Sequence, residues 1–256
     1  MPGSRLLIQT MRDFRRHYPD LGVGDAVVGA LALKPGEEVK LLDLEARGVA
    51  LFPAALAQAL ARSKAAQAEV LGRHMIPGTF VAYGPGDLTG HLEEYQARGW
   101  EKVVSKRDRA HLGLGVSLWP SLETLYSLAA LNPIPYPLVV QPFVAGARDV
   151  RVVWVGDYRE AYERLNPNSF RKNLFQGGVS RPLDLTPELE EFCRAVLARG
   201  KFPYAIFDLL LTPEGQIFLS EITLKGGITG ARLNQAEFKA KVAALEKEFC
   251  ETWAAS

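Results

Sequence analysis

Cysteine is scarce in this sequence, and neither sign of charge predominates. The 256 residues include four histidines and only two cysteines, Cys193 and Cys250, which do not form a Cys-x-x-Cys pair. This composition argues against a disulfide framework or a zinc site and is typical of a reducing compartment. The 30 basic and 29 acidic side chains nearly cancel. No overall field would therefore recruit nucleic acid, and any polyanion must be bound at a local site.

The sequence also lacks an apolar run long enough to span a membrane. Residues 1–18 contain arginines and a histidine but no apolar core of signal-peptide length. Hydrophobic residues nevertheless make up 48% of the chain, which is enough for a buried core. We therefore expect a soluble cytoplasmic protein that binds neither membranes nor nucleic acid.

Strand-like and helix-like segments are mixed along the chain, which predicts an α+β fold. A short leading α/β module is predicted for residues 1–60. It contains three short apolar runs, at 26–33, 39–42 and 49–52.

Two α+β lobes are predicted after this module. The first covers residues 61–137 and the second residues 138–256, which would open with strands at 138–144 and 149–155. The alternating prolines of 132–137 exclude a helix and predict a stiff connector between the lobes.

The second lobe contains a predicted β-hairpin with strands at 204–211 and 216–222. Proline and glycine occupy positions of the intervening segment 212–215 that a four-residue β-turn favours. If the ends of this turn pair, Asp208 faces Leu219 on the opposite strand.

In that register Asp208 and Glu221 are diagonal neighbours on one face, with Cα atoms roughly 7–8 Å apart, and Thr223 follows two residues later. Both acids interrupt strongly apolar strands, where an uncompensated charge is costly. A hard divalent cation held between them would compensate both. The alternative is that this face is exposed to solvent and that the acids are ordinary surface residues.

A glycine-containing loop follows a strand of the first lobe, at residues 106–116. Lys106 ends the strand, and Gly113 and Gly115 permit close backbone approach, so the loop could direct N–H groups and an ammonium at phosphates. It is not a Walker loop, because no Gly-Lys-Ser/Thr follows. Taken alone, such a loop is most often an ordinary connection.

These segments belong to a longer ordered series. Its members are Ser63-Lys64, 106–116, Gln141–Val144, Gly146 with 149–152, 170–173 with Gly177-Gly178, 207–210 and 221–223. In order and spacing the series resembles the glutathione-synthetase-like ATP-grasp superfamily, in the branch of ribosomal-protein glutamate ligase and the amino-acid carrier-protein ligases. The resemblance covers Arg62 to about Arg232, or about two thirds of the chain.

The resemblance implies an ATP-grasp fold in which the nucleotide lies between the two lobes. The lysines would reach the phosphates, the glycine loop would close over the phosphates, and the segment Gln141–Val144 would meet the adenine. The residues implied in ATP binding are Lys64, Lys106, Gly113, Gly115, Gln141, Phe143 and Val144.

The resemblance also implies a magnesium site and a reaction. Magnesium would be held by Asp208 and Glu221, with Thr223 as a further ligand, and would bridge the phosphates. The transferred phosphoryl group would be contacted by Arg151, Arg171 and Asn173. A substrate carboxylate would attack the terminal phosphate to give an acyl phosphate, which an amine would convert to an amide. Cations suit this chemistry because they neutralise the spread negative charge.

Some residues depart from the family pattern or have simpler interpretations. Thr223 stands where asparagine is usual, which makes a second metal uncertain. Lys64 could be a surface residue of a first helical turn, and Arg151 could merely pair with Asp149. The leading module is shorter than usual, so acceptor recognition could depend on a partner or a second subunit.

Two functions remain open from sequence. The first is an ATP- and Mg²⁺-dependent ligase that joins a small-molecule or peptide carboxylate to an amine. The alternative is a nucleotide-binding ATP-grasp protein without ligase activity, acting as a sensor or partner subunit. An unrelated α+β binding protein would bind no ATP at all.

Overall fold

The computed structural model describes residues 5–110, 115–132, 134–166 and 178–255. Within these residues the chain forms three separate β-sheets, of three, four and five strands, with helices packed beside them. The predicted α+β class is confirmed. Whether residues 1–60 form a separate unit stays a prediction.

The leading module is a small parallel α/β unit. Its sheet has the order β1-β2-β3, with β1 at Leu7–Ile8, β2 at Ala26–Val28 and β3 at Ala50–Phe52. Its helices are α1 at Met11–His17 and α2 at Val39–Ala46, and a short 3-10 helix follows α1 at Tyr18–Asp20.

One of the three apolar runs predicted in this module is helical. Residues 39–42 belong to α2, which buries Leu41 and Leu44 and leaves Val39 and Leu42 more than 60% exposed, at 63% and 65%. Because β2 and β3 are parallel, the chain between them must cross over, and a helix is the usual crossover. The parallel pairing of β2 and β3, rather than the short apolar run, therefore determines that residues 39–42 are helical.

A four-stranded antiparallel sheet forms the core of the first lobe. Its order is β4-β7-β5-β6, with β4 at Phe80–Ala82, β5 at Val103–Arg107, β6 at Val116–Trp119 and β7 at Leu138–Pro142. The helices in this part are α3 at Ala55–Leu60, α4 at Lys64–Leu71, α5 at Pro85–Gly90, α6 at Leu92–Ala97 and α7 at Leu122–Leu131, with a 3-10 helix at Gly72–His74.

The strand β7 corrects the predicted lobe assignment. Residues 138–142 pair with β4 on one side and β5 on the other, so they belong to the first sheet and do not open the second lobe. All five residues are buried, and a strand buried in this way needs hydrogen-bond partners on both edges. The link between the two large sheets is consequently the segment 143–147, and not 132–137.

The second lobe is built on a five-stranded antiparallel sheet with the order β10-β9-β8-β11-β12. Its strands are β8 at Arg148–Val155, β9 at Tyr158–Leu165, β10 at Val179–Leu183, β11 at Tyr204–Leu211 and β12 at Ile217–Thr223. The helices are α8 at Pro187–Gly200 and α9 at Gln235–Ala255. In the described parts of the chain no helix combines the length and apolarity needed to cross a membrane.

The hairpin of β11 and β12 exists as predicted, but its register is different. The N–H of Thr212 donates to Gln216 O, so the loop has three residues, and Gly215 adopts a φ of +84°. A β-bulge between Asp208 and Leu209 then shifts the pairing once more. As a result Asp208 lies directly opposite Glu221 rather than opposite Leu219, and the predicted diagonal arrangement is wrong.

Candidate active site

Two lysines of the first lobe reach the last strand of the second lobe. Nζ of Lys106 donates to both the backbone O and Oγ of Ser220, each at 3.0 Å. Nζ of Lys64 lies 3.0 Å from Oε1 of Glu221. Both lysines are buried, with 7% and 8% of their surface exposed. The structure therefore brings Lys64, Lys106 and Glu221 together at the junction of the lobes.

Local structure positions Lys64 and the start of the glycine loop together. Ser63 is the N-cap of α4, and its Oγ also donates to Oδ1 of Asp108 at 2.9 Å. The backbone N–H of Ala65 donates to the same carboxylate oxygen at 3.2 Å, and Nζ of Lys64 donates to Ala110 O at 2.6 Å. The first turn of α4 thus holds the loop against the lysine.

The base of the glycine loop is closed at Gly115. The backbone N–H of Arg107 donates to Gly115 O at 2.8 Å. A Cβ at position 115 would lie 2.4 Å from the Cβ of Ala110, which is too close for any side chain. Glycine is therefore required here for steric reasons. Gly113 lies outside the described residues, and its role in ATP binding stays a prediction.

Replacing Gly115 by alanine should destabilise the fold by about 1–3 kcal/mol, as overpacking of a well-packed site does. The new methyl group must displace Ala110 and the loop base. A matched control is Gly86→Ala, because a Cβ at position 86 meets nothing within 4 Å. Urea denaturation checks the prediction: equal midpoints for the two variants would contradict it.

A network of two arginines and two aspartates covers one face of the second sheet. Arg151 binds Asp208 through two hydrogen bonds, Nε to Oδ1 at 2.7 Å and Nη2 to Oδ2 at 2.9 Å. Arg164 Nη2 lies 3.1 Å from Oδ2 of Asp208, and its Nε donates to Oδ1 of Asp149 at 2.6 Å. Arg151 therefore pairs with Asp208 and not with Asp149, as the simpler interpretation of the sequence had it.

Sequence reasoning did not identify Arg164 as part of this site. The residue is 5% exposed and lies opposite Asp149 in the pairing of β8 with β9. Its sequence signal was weak, because β9 carries charged side chains on both faces: Arg164 shares one face with Glu160, and Arg159 and Glu163 lie on the other. Without knowledge of the neighbouring strand, that pattern does not single out Arg164.

The charges of the network shift each other's pKa. Burial would raise the pKa of Asp208, but the guanidinium groups of Arg151 and Arg164 hold it well below its ordinary value.

Burial lowers the pKa of Lys106 to about 8, against the opposing attraction of Glu221. Within the described residues Lys106 makes no ion pair, whereas Lys64 is paired with Glu221. Among the described residues, Lys106 is thus a buried cation whose direct contacts are with neutral atoms.

The two carboxylates fit a magnesium ion that is bound together with phosphates. Asp208 and Glu221 face each other on adjacent strands. No cluster of three or more acidic, histidine or cysteine side chains suited to a metal occurs in the parts of the chain described. Magnesium commonly takes one or two carboxylates and completes its shell with phosphate oxygens and water. Thr223 fits less well, because its Oγ1 donates to Lys225 O at 2.7 Å.

The residues predicted for adenine lie at the link between the sheets. Gln141 is buried in β7 opposite Val104. Phe143 begins the segment 143–147, and its N–H donates to Lys102 O at 2.9 Å, whereas Val144 is half-buried in the same segment. Arg171 and Asn173 lie outside the described residues, and their predicted contacts with the phosphoryl group stay predictions.

Two α+β lobes, with the buried Lys64 and Lys106 of one reaching the strand of the other that carries Glu221, are the arrangement of an ATP-grasp ligase. The fold agrees with the ADP complex of N5-carboxyaminoimidazole ribonucleotide synthetase, with a TM-score of 0.64 and 12% identity over 93% of this chain and 63% of that one. The chain belongs to the family described as the RimK-like ATP-grasp domain, whose model matches residues 61–244. The predicted ATP-grasp fold and family resemblance are confirmed.

Two curated relatives are similar along most of the chain. A probable alpha-L-glutamate ligase 2 of Shewanella frigidimarina is 28% identical over 82% of this chain and 72% of its own length. A ribosomal protein bS6–L-glutamate ligase of Escherichia coli is 27% identical over 68% of this chain and 59% of its own length. Both relatives belong to the branch of ATP-grasp ligases that the sequence series resembles.

Proposed function

We propose that this ATP-grasp ligase uses ATP and Mg²⁺ to join a substrate carboxylate to an amine through an acyl phosphate. The observation that carries the proposal is the meeting of Lys64 and Lys106 with β12, where Glu221 lies opposite Asp208. Phosphoryl transfer depends mainly on positioning and on neutralising spread negative charge, and these groups supply both. The names of the two relatives, which are glutamate ligases, support the same reaction class.

The lysines would bind the phosphates of ATP. Lys106 would contribute a charge that, among the described residues, contacts no carboxylate, and Lys64 would turn from Glu221 to a phosphate oxygen. Asp208 and Glu221 would hold magnesium, which when bound neutralises phosphate charge and orients the terminal phosphoryl group. The adenine would lie against Gln141, Phe143 and Val144 at the link between the sheets.

The arginines would act on the group that is transferred. Arg151 and Arg164 lie on the same sheet face as the carboxylates and carry fixed positive charge. If magnesium takes the carboxylate of Asp208, their guanidinium groups become free to donate to the phosphoryl oxygens. Arg171 and Asn173, which follow β9 in the sequence, are proposed to complete this contact.

The proposed reaction has two steps. A carboxylate oxygen of the acid attacks the terminal phosphorus, the bond to the bridging oxygen breaks, and ADP leaves. The amine then attacks the acyl carbon, the carbon–oxygen bond to phosphate breaks, and the amine loses a proton. The products are an amide, ADP and phosphate. The acid and amine are small molecules or peptides, and a partner or second subunit could contribute to their recognition.

The proposal is tested by calorimetric titration with a non-hydrolysable ATP analogue, with Mg²⁺ or with chelator, followed by ADP-release assays over acid–amine pairs. Micromolar binding, or about 8 kcal/mol, that depends on magnesium is expected. An absence of nucleotide binding in both conditions would refute the proposal.

One observation favours the alternative, a nucleotide-binding protein without ligase activity. Thr223 replaces the usual asparagine, and its hydroxyl is engaged within its own turn, donating to Lys225 O and accepting from Lys225 N. A weaker second metal position would follow. Magnesium-dependent binding of the analogue without ADP release from any acid–amine pair would support this function.

Nucleotide binding should take up protons at mildly alkaline pH. Because the pKa of Lys106 is lowered to about 8, the side chain is largely neutral above that pH, and bound phosphate restores its charge. Affinity should therefore fall as the pH rises above 8. Titration at pH about 8.5 in buffers of different ionisation enthalpy measures the uptake. Equal uptake by wild type and Lys106→Met would contradict the assignment.

A further inference from the structure

Three side chains of the first lobe contact three consecutive residues of β12. The two buried lysines contact Ser220 and Glu221. The third side chain is that of Gln67 on α4, which bonds the backbone of Ile222: Oε1 accepts from Ile222 N at 3.0 Å, and Nε2 donates to Ile222 O at 2.8 Å. Gln67 therefore binds the residue that directly follows Glu221, a proposed ligand of magnesium.

The amide of Gln67 bonds β12 as a neighbouring strand would. Because β12 is the last strand in the order of its sheet, its backbone groups point alternately toward β11 and away from it. Ile222 is fully buried, and its outward N–H and C=O groups would be costly without partners. One side-chain amide satisfies both groups and fixes the backbone of β12 beside Glu221.

Gln67 is itself held firmly within the first lobe. Its Nε2 also donates to Leu60 O, at the end of α3, at 2.8 Å. Both N–H groups of the amide are thus used, and the residue is only 2% exposed. Lys64 lies three residues earlier on α4, so the two side chains share one face of this helix. The same helical face therefore contacts Glu221 with a charge and Ile222 with a neutral amide.

These two contacts differ in what a bound ligand would do to them. Under the proposed function, magnesium takes the carboxylate of Glu221, and Lys64 leaves it for a phosphate oxygen. The bonds of Gln67 involve only neutral groups and the backbone of Ile222, so they are independent of this exchange. They tie α4 to β12 whether or not the ion pair is present.

We propose that Gln67 is a positioning residue for the metal site, which holds Glu221 in place through the backbone of Ile222. The inference rests on the proposed function, because it takes Glu221 as a magnesium ligand. Magnesium demands a near-ideal octahedral geometry, so a displaced ligand weakens its binding. Loss of a residue that orients a metal ligand commonly lowers metal affinity about tenfold to a hundredfold.

The test measures by calorimetry how binding of the non-hydrolysable ATP analogue to the full chain depends on the concentration of Mg²⁺. Gln67→Met removes all three bonds of the amide. Gln58→Met is the matched control, because Gln58 is also 2% exposed and its amide also bonds only backbone, accepting from Leu31 N at 2.9 Å and donating to Pro53 O at 2.8 Å.

Both variants should be less stable than wild type in urea, since each loses buried hydrogen bonds. Only Gln67→Met should need about tenfold or more Mg²⁺ for half-maximal binding of the analogue. Gln67→Asn keeps an amide in the buried position but shortens its reach by one methylene group, and should show the same shift. This variant keeps the test decisive if Gln67→Met fails to fold.

A double-variant cycle shows whether Gln67 acts through Glu221. Glu221→Gln alone should weaken the magnesium dependence, and the further change Gln67→Met should add no loss, because the ligand that Gln67 positions is already altered. Additive losses in the double variant would contradict the proposed route through Glu221.

The outcomes separate the positioning role of Gln67 from the ligase proposal. Equal Mg²⁺ requirements of the Gln67 and Gln58 variants would overturn the positioning role, even if wild type releases ADP with an acid–amine pair. A shift confined to the Gln67 variants, together with no ADP release from any pair, would retain the positioning role and refute ligation. Analogue binding by wild type that does not depend on Mg²⁺ would overturn both.

Discussion

Replacing Asp208 by asparagine should cost about 3–5 kcal/mol of stability and abolish the magnesium dependence of nucleotide binding. The stability loss arises because Arg151 and Arg164 both bind this carboxylate, and asparagine would leave their buried charges undercompensated. The loss of magnesium dependence follows from the role proposed for Asp208 as a ligand.

Urea denaturation and calorimetry measure the two effects separately. Asp157→Asn is the matched control, because Asp157 also pairs with a cation but its side chain is 91% exposed. The urea midpoint of Asp157→Asn should equal that of wild type. Unaltered stability of Asp208→Asn would show that the arginine network is not stabilising, and retained magnesium dependence would remove Asp208 from the metal site.

The stability difference between wild type and Asp208→Asn should also depend on pH. The pKa of Asp208 is lowered in the folded state, so its contribution is present above the unfolded pKa, about 4, and is lost as the pH falls below it. The two proteins should therefore converge in stability in acid. A difference that stays constant from neutral pH into acid would contradict this electrostatic origin.

Lys106→Met should produce the largest loss of activity with little loss of stability. Removal of a preorganised charge that acts on a developing anion commonly costs about a hundredfold or more in rate. The fold, in contrast, loses a buried cation whose pKa is lowered to about 8 by burial. The variant should consequently be as stable as wild type or more stable below pH 8.

ADP release measures the expected loss of activity of Lys106→Met, and thermal denaturation measures its stability. Because the folded state binds the Lys106 proton less tightly than the unfolded state, the stability of wild type relative to the variant should rise between pH about 8 and about 10.5. Lys102→Met, at an exposed lysine just before the same strand, is the control. Similar activity of both variants would exclude Lys106 from phosphate binding.

Much of the local structure was accessible from sequence because its causes are local. Ser63 and Thr186 are the N-caps of α4 and α8, where a side-chain oxygen accepts from an N–H only three residues away. The hairpin of β11 and β12 was found from its apolar strands and turn residues. Its register was not, because the bulge beside Asp208 depends on both strands together.

The site was predicted only in part for a similar reason. The resemblance supplied Lys64, Lys106, Asp208 and Glu221, and the structure brings Lys64 to Glu221 across the lobes. Arg164 was missed because its importance comes from Asp149 and Asp208 on neighbouring strands. A strand's own alternation shows which side chains share a face, but not which charges will face them.

The sequence by itself determined the α+β class, the hairpin that carries Asp208 and Glu221, and the ATP-grasp family, because each depends on neighbouring residues or on an ordered series along the chain. Only the tertiary structure decided that β7 joins the first sheet, that Asp208 is bound by two arginines, and that Lys64 reaches Glu221 across the lobes. These outcomes depend on strand pairing and on charges brought together from distant parts of the chain, and local sequence patterns do not specify such pairings.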